Sequence, residues 1–345
     1  MRGERLRVEE AVFLFKEADL LDLARAADSV CRRKHPEGIV TFLIDRNINY
    51  TNICENRCSF CAFYRTKGHP DAYVLNQKEI ERKVAETLEL SGTQLMLQGG
   101  INPDLGLSYY KNMFREIKKK FNIRIHSLSP PEIVFIAESE NMPVSDVIKE
   151  LAEAGLDSLP GGGAEILVDR VREEISPRKI SSAQWLDVME KAHQLGLKTT
   201  ATMMFGTVET VTERISHLQK IRDLQNRTGG FMSFIPWTFQ PGNTALGGKP
   251  VSSIEYLRTL SVSRLFLDNF PNVQGSWVTQ GKDIGQVCLS FGANDLGSIM
   301  IEENVVRAAG VSHRITVEEM VDLISKAGKI PAQRDTEFNL LRVYS

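Results

Sequence analysis

The sequence predicts an α/β chain wound as a TIM-type (β/α)8 barrel, with helical additions at both ends. Two observations carry that expectation. Short β-rich runs alternate with amphipathic stretches along the chain, which favours parallel βα units. Glycines and polar residues also gather where run after run ends, and in a barrel those ends share one rim. A doubly wound open sheet gives the same alternation, because pattern alone does not reveal closure.

Taken in order, residues 1–37 read as a helical segment. Its stretch "MRGERLRVEEAVFLFKEADLLDLARAADSV" mixes acids with apolar residues at helical spacing, so it lacks the unbroken apolar centre of a signal peptide. The barrel is expected over residues 38–300. Its strand candidates are "GIVTFLID" (38–45), "TQLMLQGG" (93–100), "IRIHSLS" (123–129) and "LDSLPGGG" (156–163). The second half adds "KTTATMMFG" (198–206), "FMSFIPW" (231–237), "NVQGSWV" (272–278) and "CLSFGAND" (288–295). Between them, "QKEIERKVAETLELSG" opens beside Asn76 and ends at Gly92, and "SAQWLDVMEKAHQLG" opens beside Ser182 and ends at Gly196. Both carry helix start and stop signals. Residues 301–345 are expected to add a helical extension packed on the barrel. No repeat or long linker divides the chain, which predicts a single domain overall.

The 345 residues are 42% hydrophobic and 25% charged, ordinary for a globular chain with a large core. A formal charge of −2 with scattered Lys and Arg argues against a nucleic-acid partner, and the run Lys118-Lys119-Lys120 reads as a solvated helix face. No apolar run approaches the roughly 18–20 residues that span a bilayer. Five cysteines, three of them clustered, do not make a secreted disulfide framework, so a reducing cytoplasm is expected. Cys31 and Cys288 stand alone and read as small buried hydrophobes.

Cys54, Cys58 and Cys61 lie at i, i+4 and i+7. That spacing fits one face of a helix, but Glu55, Asn56, Arg57 and Ser59 interrupt it with polar residues. Zinc is a second reading, although structural zinc wants four ligands and no second Cys/His pair is present. Three thiolates can instead hold three corners of a [4Fe-4S] cube and leave one iron open to a ligand.

The run "NYTNICENRCSFCAFYR", with Phe60 just before the last cysteine, resembles the cluster loop of the radical S-adenosylmethionine (SAM) superfamily. The resemblance implies that the open iron chelates SAM and that one electron splits the sulfonium, giving methionine and a 5′-deoxyadenosyl radical. Other cofactor-side positions follow from it. Gln98, Gly99 and Gly100 stand where the superfamily places a glycine-rich turn against the methionyl amino group. Gly206 and Glu209 of "TMMFGTVE" match part of its adenine-side stretch, with Thr202 and Met204 replacing a glycine and an isoleucine. Ser129 lies on the same rim, and Trp237 of "FIPWTFQP" is placed to flank adenine or substrate.

Further segments, "SLSPPEI", "AGLDSLPGGGAEILVDRVR", "SWVTQG" and "FGANDLGSIMIEENVV", are similar to those of the cyclic dehypoxanthine futalosine synthases, a menaquinone-pathway family. The resemblance implies oxidative cyclisation of dehypoxanthine futalosine, beginning with loss of the ribose C4′ hydrogen and attack on the attached benzoate ring. It implies a reducing partner such as flavodoxin or ferredoxin. Aminofutalosine synthase and FO synthase subunits share much of the pattern, and a non-catalytic iron–sulfur electron carrier is the alternative outside this class. Two readings of "PGGGAEI" stay open. Gly161, Gly162 and Gly163 offer backbone N–H groups to the substrate carboxylate at a helix start, or they accommodate SAM while Glu165 bonds a ribose hydroxyl. The ring must also lose a proton, and His126 and Asp45 are the candidate bases.

Overall fold

The computed structural model describes residues 4–344. Helices α1 (Val8–Glu17) and α2 (Leu20–Lys34) come first. Asp19 starts the second by accepting the amide N–H groups of Leu21 and Asp22, and Leu23, Ala24, Ala27 and Cys31 form its buried face. Strand β1 (Ile39–Leu43) passes through Ile44 into β2 (Asp45–Ile48). Then follow α3 (Gln77–Glu89), β3 (Gln94–Leu97), α4 (Leu107–Lys120), β4 (Arg124–Ser127), α5 (Pro130–Glu140), α6 (Val144–Ala154) and β5 (Ser158–Leu159). The next units are α7 (Asp169–Ile175), α8 (Ser182–Gln194), β6 (Lys198–Phe205), α9 (Val211–Thr228), β7 (Phe231–Thr238), α10 (Ser253–Phe266) and β8 (Asn272–Val273).

Strands β2 to β8 make a seven-stranded parallel sheet in strict chain order. A doubly wound sheet reverses order at a switch point, so that alternative is excluded. After α11 (Trp277–Gln280) and α12 (Lys282–Val287), β9 (Asp295–Ser298) completes the ring. On one side the Gly275 amide donates to the Asp295 carbonyl at 2.9 Å; on the other, Ile299 and Ile301 donate to Leu43 and Asp45, each at 3.0 Å. The α/β barrel expected from the alternation is therefore the fold observed. One strand is displaced. Cys288–Ser290 is a 3-10 turn that buries Cys288 and Leu289, and the strand begins only at Asp295. A short apolar run does not tell a buried helical turn from a buried strand.

The C-terminal segment also differs from the all-helical extension expected. It holds α13 (Val305–Ala308) and α14 (Val317–Lys326), then a hairpin of β10 (Ile330–Arg334) and β11 (Leu340–Val343). β3 begins opposite Asp45, which leaves the earlier part of β1 with an open edge. β10 covers that edge in parallel register, Ile39 beside Ile330 through Phe42 beside Gln333. The turn after β10 then crosses beneath the barrel, where Glu337 meets Arg124 at the start of β4 at 3.3 Å.

Ordinary barrels fill their interiors with branched apolar side chains. Here Thr41, Asp45, Asn47, Gln94, His126, Ser158 and Asp295 are all buried. A polar interior is costly unless a ligand or a network satisfies it.

His217 on α9 illustrates how burial shapes the pH response. It is fully buried, its Nδ1 accepts the Leu167 amide at 3.0 Å, and burial drives its pKa down to about 3. The unfolded chain therefore binds this proton first, so the histidine's contribution is whole above about pH 6.5 and is lost as pH falls towards 3. At pH 5 the difference amounts to about 2 kcal/mol. Denaturant unfolding at pH 7.5 and pH 5 should show His217→Gln losing less stability on acidification than the parent, by that amount.

Candidate active site

The cysteines lie on the loop from β2 to α3, which consists of turns and isolated bridges, so the helix-face reading fails. Backbone bonds fix the loop at both ends. Cys54 donates to Arg65 at 3.1 Å, Glu55 to Ile101 at 2.9 Å, and Ser59 to Ile175 at 3.0 Å. The Arg65 guanidinium gathers the carbonyls of Ala62, Phe63 and Tyr64. Cys58 is buried, Cys54 and Cys61 half-buried, and none is in a disulfide. Burial pushes the Cys58 thiol up to about 12 and raises Cys61 as well, so a metal must displace those protons on binding.

The Gln98-Gly99-Gly100 turn presses directly on this loop. A Cβ on Gly100 would stand 2.2 Å from the Ile53 carbonyl oxygen and 2.7 Å from the Cys54 Cβ, so only glycine permits the approach. Glu132 binds the turn from below. Its buried carboxylate accepts the Tyr50 hydroxyl, the Gly99 amide at 3.3 Å, and both the amide and hydroxyl of Ser129. Ser129 thus caps α5 and has already donated its hydroxyl proton within the fold.

Glu165 lies opposite, in a left-handed conformation (φ 40°) that is unfavourable for a side chain of this size. Its Oε1 accepts the Lys179 ammonium at 3.0 Å, and Arg172 approaches Oε2 to only 3.6 Å. That second oxygen is buried without a hydrogen-bond partner. Burial opposes the Lys179 charge, but the Glu165 carboxylate and, once it is a thiolate, Cys58 outweigh it and raise the lysine's pKa. The same ammonium sits 5.1 Å from the centre of the Phe60 ring.

The glycine run 161–163 does not open a helix; α7 starts at Asp169. The Gly161 amide donates to the Thr200 hydroxyl at 3.0 Å, and the Gly161, Gly162 and Gly163 carbonyls accept Thr202, Trp185 and Arg172. The helix start expected to present these amides therefore lies elsewhere, at Asp169. Glu209 is likewise turned inward. Its fully buried carboxylate takes the Gly206 and Thr207 amides, the Thr207 hydroxyl and the Arg214 guanidinium, which shapes the loop after β6. Gly206 and Glu209 do not line the central cavity, whereas Thr202 does.

That cavity, of about 260 Å³, runs down the barrel axis from Gln98, Gly162 and Glu165 at the rim. His126, Asp45 and Trp237 line its wall, and Arg334, Thr336 and Phe338 lie at its base. His126 is held by Ser158 at 2.7 Å, and burial lowers its pKa to about 3, so the ring stays neutral. Asp45 takes Gln94 on Oδ2 at 2.9 Å while Oδ1 is buried and unbonded; burial raises its pKa. Ser233 Oγ and Thr336 Oγ1 share that condition, so unsatisfied polar atoms converge on one space.

A radical SAM superfamily model matches residues 48–221, a span that takes in the three cysteines, the Gln98–Gly100 turn and Glu165. The chain belongs to the radical SAM superfamily. Residues 228–345 match the CofH/MqnC C-terminal region. Among radical SAM relatives, the cyclic dehypoxanthine futalosine synthase of Halalkalibacterium halodurans is 47% identical, covering 100% of this chain and 94% of the relative. The enzyme of the same name from Streptomyces coelicolor is 49% identical over 99% and 87% of the two chains. The aminodeoxyfutalosine synthase of Thermus thermophilus is 38% identical over 100% and 94%. The fold is similar to that of methylornithine synthase, with a TM-score of 0.74 at 21% identity over 96% and 95% of the chains.

Superfamily membership implies a [4Fe-4S] cluster and SAM. Among the described residues, no three His, Cys, Asp or Glu side chains already stand at the distances of a single-ion site. The donor set nevertheless fits a cluster: soft thiols, free of disulfides, on one clamped loop with a buried cation beside them. Lys179, Glu132, Glu303 on the cavity wall, and the base residues Arg334, Thr336 and Phe338 were not anticipated from sequence. No helix is long and apolar enough to cross a membrane among the described residues.

Proposed function

We propose that this radical SAM enzyme oxidatively cyclises dehypoxanthine futalosine to cyclic dehypoxanthine futalosine, a step of menaquinone biosynthesis. The observation that carries the reading is near-half identity, along the whole chain, with two proteins of that name; identity with the aminodeoxyfutalosine synthase is lower.

In this reading Cys54, Cys58 and Cys61 hold the cluster. With SAM bound, that group supplies a 5′-deoxyadenosyl radical by one-electron cleavage of the sulfonium. The residues of the chain position and protect. The Gln98–Gly100 turn offers backbone carbonyls to the methionyl amino group, and Lys179 offers its ammonium to the methionyl carboxylate. Glu165 Oε2, buried without a donor, accepts a ribose hydroxyl. The enclosed barrel excludes water and holds C4′ near the reacting carbon.

The substrate loses two hydrogens as a C–C bond closes the ring. One departs on 5′-deoxyadenosine and the other as a proton, and the electron that leaves the ring balances the one spent in splitting SAM, which is the net two-electron oxidant. Asp45, rather than His126, is the proton acceptor in this account. Its Oδ1 is free and its basicity is raised by burial, whereas His126 is a weak base bonded to Ser158. A flavodoxin or ferredoxin in the cytoplasm supplies electrons. Anaerobic enzyme with reductant and SAM should consume dehypoxanthine futalosine and release 5′-deoxyadenosine in equal amount. Release unaffected by that compound would contradict the proposal.

A further inference from the structure

We infer that the base of the barrel, built by the turn after β10, is the binding site for the substrate's aryl carboxylate, with Arg334 and Thr336 as its donors. The inference rests on the function proposed above and assigns the end of the substrate farthest from the cysteine loop.

An aryl carboxylate entering this cavity needs a cation and directed donors. The cavity wall carries carboxylates at Asp45, Glu165 and Glu303, and its one Lys or Arg among the described residues is Arg334. That side chain is 5% exposed. It reaches past β1 from β10 to Asp295 on β9, with Nε to Oδ2 at 2.6 Å and Nη2 to Oδ1 at 3.0 Å. Nη1 donates to the Asp335 carbonyl at 3.0 Å. These bonds fix the plane of the guanidinium and leave one N–H on each terminal nitrogen uncommitted.

A second observation points to the same ligand. Thr336 is 4% exposed, lines the cavity, and its hydroxyl has no hydrogen-bond partner. Phe338, held in a left-handed conformation (φ 66°), sets its ring 3.8 Å from the Arg334 guanidinium carbon and also faces the cavity. A cation, a free hydroxyl and an aromatic ring at the base match the parts of a benzoate. The glycine run near the rim adds no cation to the cavity wall, and its Gly161 amide is already bonded to Thr200.

The test compares dehypoxanthine futalosine with its carboxamide analogue, by equilibrium binding to reconstituted enzyme without reductant. Wild type should bind the acid about 10–100-fold more tightly than the amide, the range for a hydrogen-bonded charge pair. Arg334→Gln should lose that preference, and Thr336→Val should weaken acid more than amide. Equal binding of acid and amide by wild type would overturn the assignment, as would an Arg334→Gln enzyme that still prefers the acid. The wild-type and Thr336→Val arms decide the matter if Arg334→Gln does not fold. Failure of the enzyme to cyclise the acid would instead refute the proposed function, whatever the binding shows.

Discussion

Replacing Cys58 with alanine should abolish 5′-deoxyadenosine formation, to the background of enzyme lacking iron. Cys58 is the buried member of the three, bordered by Lys179 and clamped by the Ser59 amide on Ile175 and the Cys61 amide on Cys58 itself. Alanine leaves two thiolates to hold a cube, and a second open iron admits water or a stray thiol. The charge-transfer absorbance of reconstituted protein and a product assay for 5′-deoxyadenosine read the two consequences separately. Loss of the absorbance should accompany loss of cleavage. Cleavage at the parental rate by Cys58→Ala would remove the cluster from the account. The fold should survive, because the loop is held by backbone bonds that the substitution leaves in place.

Asp45→Asn should lower cyclisation by about 10²–10⁴-fold while leaving SAM cleavage within a few-fold of the parent. The amide keeps the shape of the side chain and can still accept Gln94, which now holds Oδ2 at 2.9 Å. What disappears is the proton acceptor at Oδ1, the oxygen buried without a partner. Hydrogen abstraction then proceeds without efficient loss of the ring proton, so 5′-deoxyadenosine should exceed cyclic product. His126→Gln should change cyclisation less than 10-fold, because that imidazole is held neutral by burial and bonded to Ser158. The reverse ranking of the two variants would assign the proton to His126.

The sequence made the upper site legible because its chemistry is written as spacing. Three thiols within eight positions, and a Gly-Gly turn at a strand end, are patterns that packing alone seldom produces. The structure adds why the turn must be glycine: Gly100 abuts Cys54. Asp45 was visible for a related reason, as an acid at the end of a β run. Glu209 and Ser129 show the converse. A loop motif and a helix cap look alike in sequence whether the side chain meets a ligand or, as here, neighbouring groups of its own chain. Lys179 was hidden in "SPRKI", which reads as a solvated turn until the fold buries it beside Glu165. The base was least legible of all. Arg334 and Thr336 arrive from the far end of the chain on a hairpin whose short apolar run gives no period, and only the open edge of β1 explains why it lies there.

The central claim is that the barrel closes a ring on dehypoxanthine futalosine. It is tested most directly by mass spectrometry of products from two separate anaerobic incubations, one with that compound and one with the enolpyruvyl benzoate used by aminofutalosine synthases. The account predicts a product lighter than dehypoxanthine futalosine by two hydrogens in the first and no adenosyl adduct in the second. An adenosyl adduct in the second, with dehypoxanthine futalosine unchanged in the first, would contradict it.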